Sequence, residues 1–256
     1  MSARDDILTQ LRGALTQPTL RFPPPNPQPL TAEERLTVTA AEGDLPMLAE
    51  RFARELETLH GEALIVETPV AARMALINML LGWMEEHKAK RTGAFFESGQ
   101  EECVLSWDVD VLPITGIGDT LRDIGLTVVT PDDMHNEKTR SATRYIQYGL
   151  TGVEAAFAST GSMLMTSSAP GVNRVASLLP IRHVALIPFS RVYENVEAWL
   201  REKRTRGILV KTLKENANLT MISGPSKSAD IEGNLTLGVH GPKFVNAILF
   251  NDILDD

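Results

Sequence analysis

LTMISGPSKSADIEGNLTLGVHGPKFVNAILF, Leu219 to Phe250, decides how this chain is read. Leu219, Met221 and Ile222 form a short apolar run that predicts a buried strand. Ser223-Gly224-Pro225-Ser226-Lys227-Ser228 follows as a loop of small hydroxyl residues with one cation. Ala229-Asp230-Ile231-Glu232 fits a short helical turn, with Ser228 as its N-cap and acids in the first turn. Gly233-Asn234 stops that turn. Leu235 to Val239 predicts a second strand, His240-Gly241-Pro242 turns the chain, and Val245 to Phe250 predicts a third strand covered on both faces. Loops at the carboxyl end of a strand are where open α/β sheets bind small ligands. The site is therefore expected here.

The same block, SGPSKSADIEGNLTLGVHGPK, resembles the C-terminal signature of the lactate-utilization (LUD) domain family, in particular its lactate utilization protein C branch. A second block, Gly149-Leu150-Thr151-Gly152-Val153-Glu154-Ala155-Ala156-Phe157-Ala158-Ser159-Thr160-Gly161-Ser162, is similar to that family's central signature. The resemblance runs from about Leu45 to the C-terminus. It implies a three-layer NagB/RpiA/CoA-transferase-like fold and a part in oxidising L-lactate to pyruvate beside iron–sulfur partner proteins.

Outward from the block, strands alternate with helices, which predicts an α/β sheet that is largely parallel. Leu45 to Leu59 has helical spacing, with Asp44 as N-cap and Pro46 in the first turn. Ala63 to Val66 reads as a buried strand. Pro69 to Lys88 reads as a helix with Ala71, Met74, Ile77, Leu80, Leu81 and Met84 inward. Further strands are expected at Gly93–Phe96 and Thr127–Val129, with a short helix over Asp119–Asp123. The second half predicts strands at Glu154–Ser159, Ser162–Thr166 and Arg182–Pro188. The tight Ser159–Ser162 turn makes the first two antiparallel. Val192 to Lys203 reads as a helix. The fold expected is a mostly parallel sheet with an antiparallel insertion.

The N-terminus is different. Ile7, Leu8, Leu11 and Leu15 mark a short amphipathic helix, and Pro18 to Pro29 carries prolines at 23, 24, 25, 27 and 29. Such a stretch is extended rather than helical. It reads as a tether that lays the helix on the body or on a partner subunit, or as a Pro-rich ligand for a signalling domain. Residues 1–30 are thus expected to be a helix and arm, and 31–256 a single LUD domain. A homo-oligomer stays open.

The 256 residues are 43% apolar and 23% charged, with a formal net charge of −8. The acidic balance argues against a nucleic-acid binder. No apolar run reaches about 18 residues, so no membrane span is expected. No signal peptide is visible at Met1–Asp6. One cysteine, Cys103, leaves no disulfide framework. The cytoplasm is the expected location.

The candidate chemistry is that of an anion receptor. Ser223, Gly224, Ser226, Lys227 and Ser228 offer amides, hydroxyls and an ammonium. The other reading is a structural turn. Walker and Rossmann spacings are absent; Gly116-Ile117-Gly118 lacks the third glycine. Asp230 either caps loop amides or acts with Lys227; these two are the compact candidates for catalysis. Thr160, Gly161 and Ser162 are the second ligand-binding group, Gly161 allowing positive φ or close approach. His240 is either a turn residue or a ligand donor. The family more often carries a glutamate just before the Thr-Gly, where this chain has Ser159, so the carboxylate a CoA-transferase needs is missing there.

Metal spacing is absent among His60, His87, His135, His183 and His240. Asp132 to Glu137 reads as a solvated turn. Cys103 follows two glutamates, which raise a thiol's pKa. One thiol cannot hold an iron–sulfur cluster, which takes about four ligands; clusters are expected on partner proteins, with no cofactor in this chain. Arg201, Lys203, Arg204, Arg206, Lys211 and Lys214 read as a solvated basic run, or as a funnel for an anionic substrate or a docking face. Trp83, Trp107 and Trp199 read as core or interface anchors. The resemblance implies an accessory, anion-binding component of an L-lactate oxidising system; the alternative is a stand-alone enzyme on a phosphorylated or CoA-linked metabolite.

Overall fold

The computed structural model describes residues 3–16, 41–89, 102–131, 134–167, 171–216, 218–229 and 235–253. The chain divides into two units, Met1–Val38 and Thr39–Asp256. In the first, helix α1 (Ala3–Thr16) forms as its apolar spacing predicts, with Ile7, Leu11 and Leu15 exposed. The proline stretch lies outside the described residues.

The second unit holds a six-stranded sheet in the order β1-β12-β7-β4-β2-β3. Its strands are β1 (Glu62–Val66), β2 (Cys103–Ser106), β3 (Thr127–Val129), β4 (Tyr148–Thr151), β7 (Arg182–Pro188) and β12 (Phe244–Phe250). Every pairing in it is parallel. β7 and β12 are buried over nearly their whole length, as continuous apolar runs require when both faces are covered. The register shows what covers them. Tyr148 lies opposite Arg182, and both meet Trp83 of helix α3 (Pro69–Ala89). The next pair, Gly149 and His183, points the other way. A Cβ on Gly149 would lie 2.0 Å from the Ala176 carbonyl oxygen of helix α6 (Val175–Leu178). The result is three layers. Phe250, Tyr148, Phe52 and Phe157 are fully buried, each worth about 1.5–3 kcal/mol of burial.

A second sheet, β8-β5-β6-β9, is built from β5 (Ala155–Phe157), β6 (Ser162–Thr166), β8 (Val192–Tyr193) and β9 (Leu219–Ile222). β5 and β6 are antiparallel through the Thr160-Gly161 turn, as the sequence predicts. β6 pairs antiparallel with β9. A third sheet is the hairpin of β10 (Lys227–Ala229) and β11 (Leu235–Leu237).

Helix α2 (Leu45–Thr58) starts where Asp44 accepts a bond from the Met47 amide at 3.0 Å. It buries Leu48, Phe52 and Leu56. The remaining helices are α4 (Ile117–Asp123), α5 (Glu137–Thr143), α7 (Val196–Thr205, capped by Asn195) and α8 (Leu209–Glu215). Among the described residues no helix is long and apolar enough to cross a membrane.

Several expectations change. Ala63 to Val66 is not buried: β1 is an edge strand with β12 as its one neighbour, and Leu64 and Ile65 are exposed. Helix α3 buries Ala72, Leu76 and Leu80, while Met74 and Leu81 face outward; it is apolar on all sides, so spacing could not choose its face. The strand expected at Gly93–Phe96 lies outside the described residues, and β2 stands beside β3. Val192–Tyr193 is a short strand, and α7 starts only after Asn195, whose side chain takes the Ala198 amide. Glu137 opens α5 rather than closing a turn.

Candidate functional site

The pairing of β6 with β9 sets the two signature blocks side by side. Met163 lies opposite Ile222, and just beyond them Ser162 Oγ sits 2.7 Å from Ser223 Oγ. Both glycines of these turns have positive φ, 60° at Gly161 and 77° at Gly224. A Cβ on Gly161 would lie 2.4 Å from the Leu56 nitrogen, and one on Gly224 would lie 2.8 Å from the Leu59 carbonyl oxygen. The close approach that glycine permits is thus to the protein's own helix. Both turns rest on the last turn of α2, the negative end of the helix dipole. An anion gains nothing at that point.

The rest of the loop is a hairpin. Lys227, Ser228 and Ala229 lie in β10 opposite Leu237, Thr236 and Leu235. Ser228 is therefore not a helix N-cap: the Leu-Thr-Leu segment offers a ladder of backbone bonds that outweighs an isolated helical turn. Asp230 and Glu232 lie outside the described residues. Ser226 is engaged throughout. Its amide donates to the Pro242 carbonyl (2.9 Å), its carbonyl accepts from the Gly238 amide (2.9 Å), and its hydroxyl accepts from the His240 amide (3.1 Å). Lys227 and His240 are exposed, and Ser228 is half-buried.

This hairpin stands at the amino edge of the parallel sheet. The Lys243 and Phe244 amides, entering β12, both donate to the Ile181 carbonyl just ahead of β7. The rule about carboxyl ends concerns the parallel sheet, and β9 is paired antiparallel in the second, mixed sheet. Sequence spacing cannot tell which sheet a strand joins.

At the carboxyl edge, the strand order reverses between β2 and β4. Chain order runs from β2 outward to β3 and then back across β2 to β4. That reversal is where such sheets open a crevice. Here an indole fills it. Trp107 Nε1 donates to the Asn173 carbonyl at 2.7 Å, and a Cβ on Gly152 would lie 3.1 Å from Trp107 Cζ3. The Asp108 amide donates to the Gly171 carbonyl across the top. Beside it, Asp108, Gly118, Arg122 and Thr130 line a cavity of about 500 Å³.

A charge cluster around a buried lysine escaped the sequence reading. Lys203, placed there in a solvated basic run, is buried and lies 2.6 Å from Glu154 Oε1. Arg191 stands 3.7 Å from the same carboxylate. Burial, with a bond to Glu202, pushes the Tyr193 hydroxyl well above its usual range. That bond from Tyr193, then one from Arg206, holds the Glu202 carboxyl below its ordinary value. The available signal was Trp199 four residues before Lys203: an anchor on one helical face carries its i+4 neighbour inward.

His183 is buried beneath the sheet, with Nε2 2.9 Å from Thr151 Oγ1. Burial lowers its pKa to about 4, so the ring is neutral. Among the described residues no three His, Cys, Asp or Glu side chains gather as a metal set.

Comparison with known proteins follows the same outline. A crystal structure of a DUF162 family protein from Deinococcus radiodurans is similar, with a TM-score of 0.52 and 16% identity, covering 82% of this chain and 99% of that one. At that identity the likeness concerns the fold alone. Lactate utilization protein C of Exiguobacterium sp. is 35% identical over 122 residues, 48% of this chain and 52% of that protein. Lactate utilization protein C of Bacillus subtilis is 34% identical over 107 residues, 41% and 42% of the two chains. The chain spans about half the length of the curated relatives it matches. The LUD domain model matches residues 49–250, nearly the whole second unit, and on that match the chain belongs to the LUD domain family.

Proposed function

We propose that this protein serves L-lactate utilization in the cytoplasm as an accessory component, working beside iron–sulfur partner proteins that carry the redox step from lactate to pyruvate. The observation that carries this reading is the relationship to proteins named lactate utilization protein C. One cysteine in the whole chain agrees with clusters residing elsewhere. The chain's own contribution is a small-anion contact at the signature hairpin. Lys227, Ser228 and His240 meet the ligand. Thr160, Gly161, Ser162, Ser223, Gly224 and Ser226 hold the hairpin against α2. This division rests on the exposure of the first group and the internal bonding of the second.

The test is reconstitution. The purified chain alone, given L-lactate and an electron-accepting dye, is expected to turn nothing over. Adding it to iron–sulfur partners is expected to raise pyruvate formation. Lactate oxidation by the chain alone overturns the reading. Thermal shift with lactate, pyruvate and phosphate tests the anion contact, which Lys227→Ala is expected to abolish.

The 500 Å³ cavity beside Asp108 favours a second reading, an enzyme acting alone on a phosphorylated or CoA-linked metabolite. Stabilisation by a CoA ester or sugar phosphate, removed by Arg122→Ala and kept by Lys227→Ala, would select it.

A further inference from the structure

Among the described residues, the amino edge of the parallel sheet carries an exposed apolar face. Tyr145, Leu179, Ile181 and Phe244 are each between 36% and 49% exposed. They form one surface. The Ile181 carbonyl takes the Phe244 amide, Leu179 lies two residues before Ile181, and Leu179 and Arg144 line a common cavity of about 450 Å³. Arg144 stacks on the Tyr145 ring at 5.4 Å. Monomeric proteins rarely leave large side chains grouped in this way without a use.

The charge on this face opposes that of the whole molecule. The formal net charge is −8. Yet among the described residues Glu86 and Glu137 are already matched: Glu86 pairs with Arg182 at 2.6 Å, and Glu137 pairs with Arg140. Arg144 and Lys243 have no acid within ion-pair distance among the described residues; each lies over a ring instead, Lys243 Nζ 5.5 Å from the Phe244 centroid. One guanidinium and one ammonium thus flank four apolar side chains, on a body that repels anions at long range. A guanidinium over an aromatic ring is weakly hydrated and binds a carboxylate well once covered, and the lysine ammonium adds a point charge beside it.

From this complementarity we infer that the amino edge is a docking surface for a protein segment rich in carboxylates and carrying aromatic or aliphatic side chains. Its apolar residues enter between Leu179, Ile181 and Phe244, and its carboxylates meet Arg144 and Lys243. The face borders the signature hairpin, since Gly238 lies under Lys243: a Cβ there would be 2.8 Å from Lys243 Cβ. The inference rests on the accessory-component reading and names the surface through which a partner is engaged.

The test uses the full chain and a fluorescent random copolymer of glutamate and tyrosine, followed by anisotropy. Expected are saturable binding, at least a tenfold loss between 50 and 300 mM salt (roughly a factor of ten or more for several screened contacts), and polyglutamate binding about tenfold weaker. Arg144→Glu with Lys243→Glu is expected to weaken binding at least tenfold, and so is Leu179→Ser with Ile181→Ser. All four positions are exposed or at the surface, and unchanged thermal melts verify folding. No binding, equal binding by either variant, or equal binding of anionic lipid vesicles overturns the inference. The reconstituted lactate assay separates the two failures. If the chain is needed there and both variants work normally, the docking face falls and the accessory reading stands. If the chain is dispensable there, the accessory reading falls.

Discussion

Lys203 of α7 reaches the carboxylate of Glu154 at 2.6 Å, with 7% and 19% of the two side chains exposed. The pair ties the helix to the segment between β4 and β5. Its removal from one side leaves a carboxylate in a nearly dry site, with Arg191 at 3.7 Å as partial compensation. Lys203→Met is expected to cost about 3 kcal/mol, and Lys203→Met with Glu154→Gln to recover part of it. Urea unfolding of the three proteins measures this.

Gly161 and Gly224 bear on α2 by contact with its backbone. Gly161→Ala places a Cβ at positive φ and against the Leu56 nitrogen. The expected loss is about 3 kcal/mol, part from the left-handed backbone and part from overpacking. Gly125 has φ 84° and open space around it, so Gly125→Ala is expected to cost only about 1 kcal/mol. The difference in urea midpoints separates packing from backbone strain.

His183 makes stability depend on pH. Its folded pKa is lowered by burial from 6.5 to about 4. In the unfolded chain the ring takes up a proton below about 6.5, whereas the folded ring does not. The unfolded state then binds more protons, and stability falls as pH drops from 6.5 toward 4. The contribution is complete above 6.5 and lost below 4, amounting to about 3 kcal/mol. Unfolding free energies at several pH values are expected to show a shallower slope for His183→Gln.

Cys103 is expected to be a slow thiol. Burial first, and then Glu102, push its pKa up, so little thiolate exists near neutrality. Alkylation by iodoacetamide at pH 7.5 is expected to run about tenfold slower than for an unhindered cysteine. Urea is expected to raise the rate to the unhindered value.

Much of the fold was legible because it is locally encoded. Asp44 and Pro46 announce α2 by capping chemistry, which involves only the next three residues. Val245–Phe250 is a run too apolar to face water, so it had to be covered on both faces; that Arg182–Pro188 stands beside it in the parallel sheet was not visible in the sequence. Ser159–Ser162 is a tight turn between two apolar runs, and Gly161 permits the positive φ that it takes there. The site was less legible. Lys227 and Ser228 have turn-like neighbours, and only the presence of Leu235–Leu237 across from them makes a strand. Lys203 sits among exposed bases in sequence, yet the Trp199 anchor turns it inward.

The sequence by itself determined the α/β class, the family and the antiparallel insertion. Tertiary structure decided that β1 is an exposed edge, that α3 turns Met74 outward, and that β9 joins the second sheet, which puts the hairpin at the amino edge. The reason is the range of the forces. Caps, turns and hydrophobic periods act between residues a few positions apart and are written in the local order. Which edge a strand pairs with, and which face of an all-apolar helix is covered, depend on segments a hundred residues away.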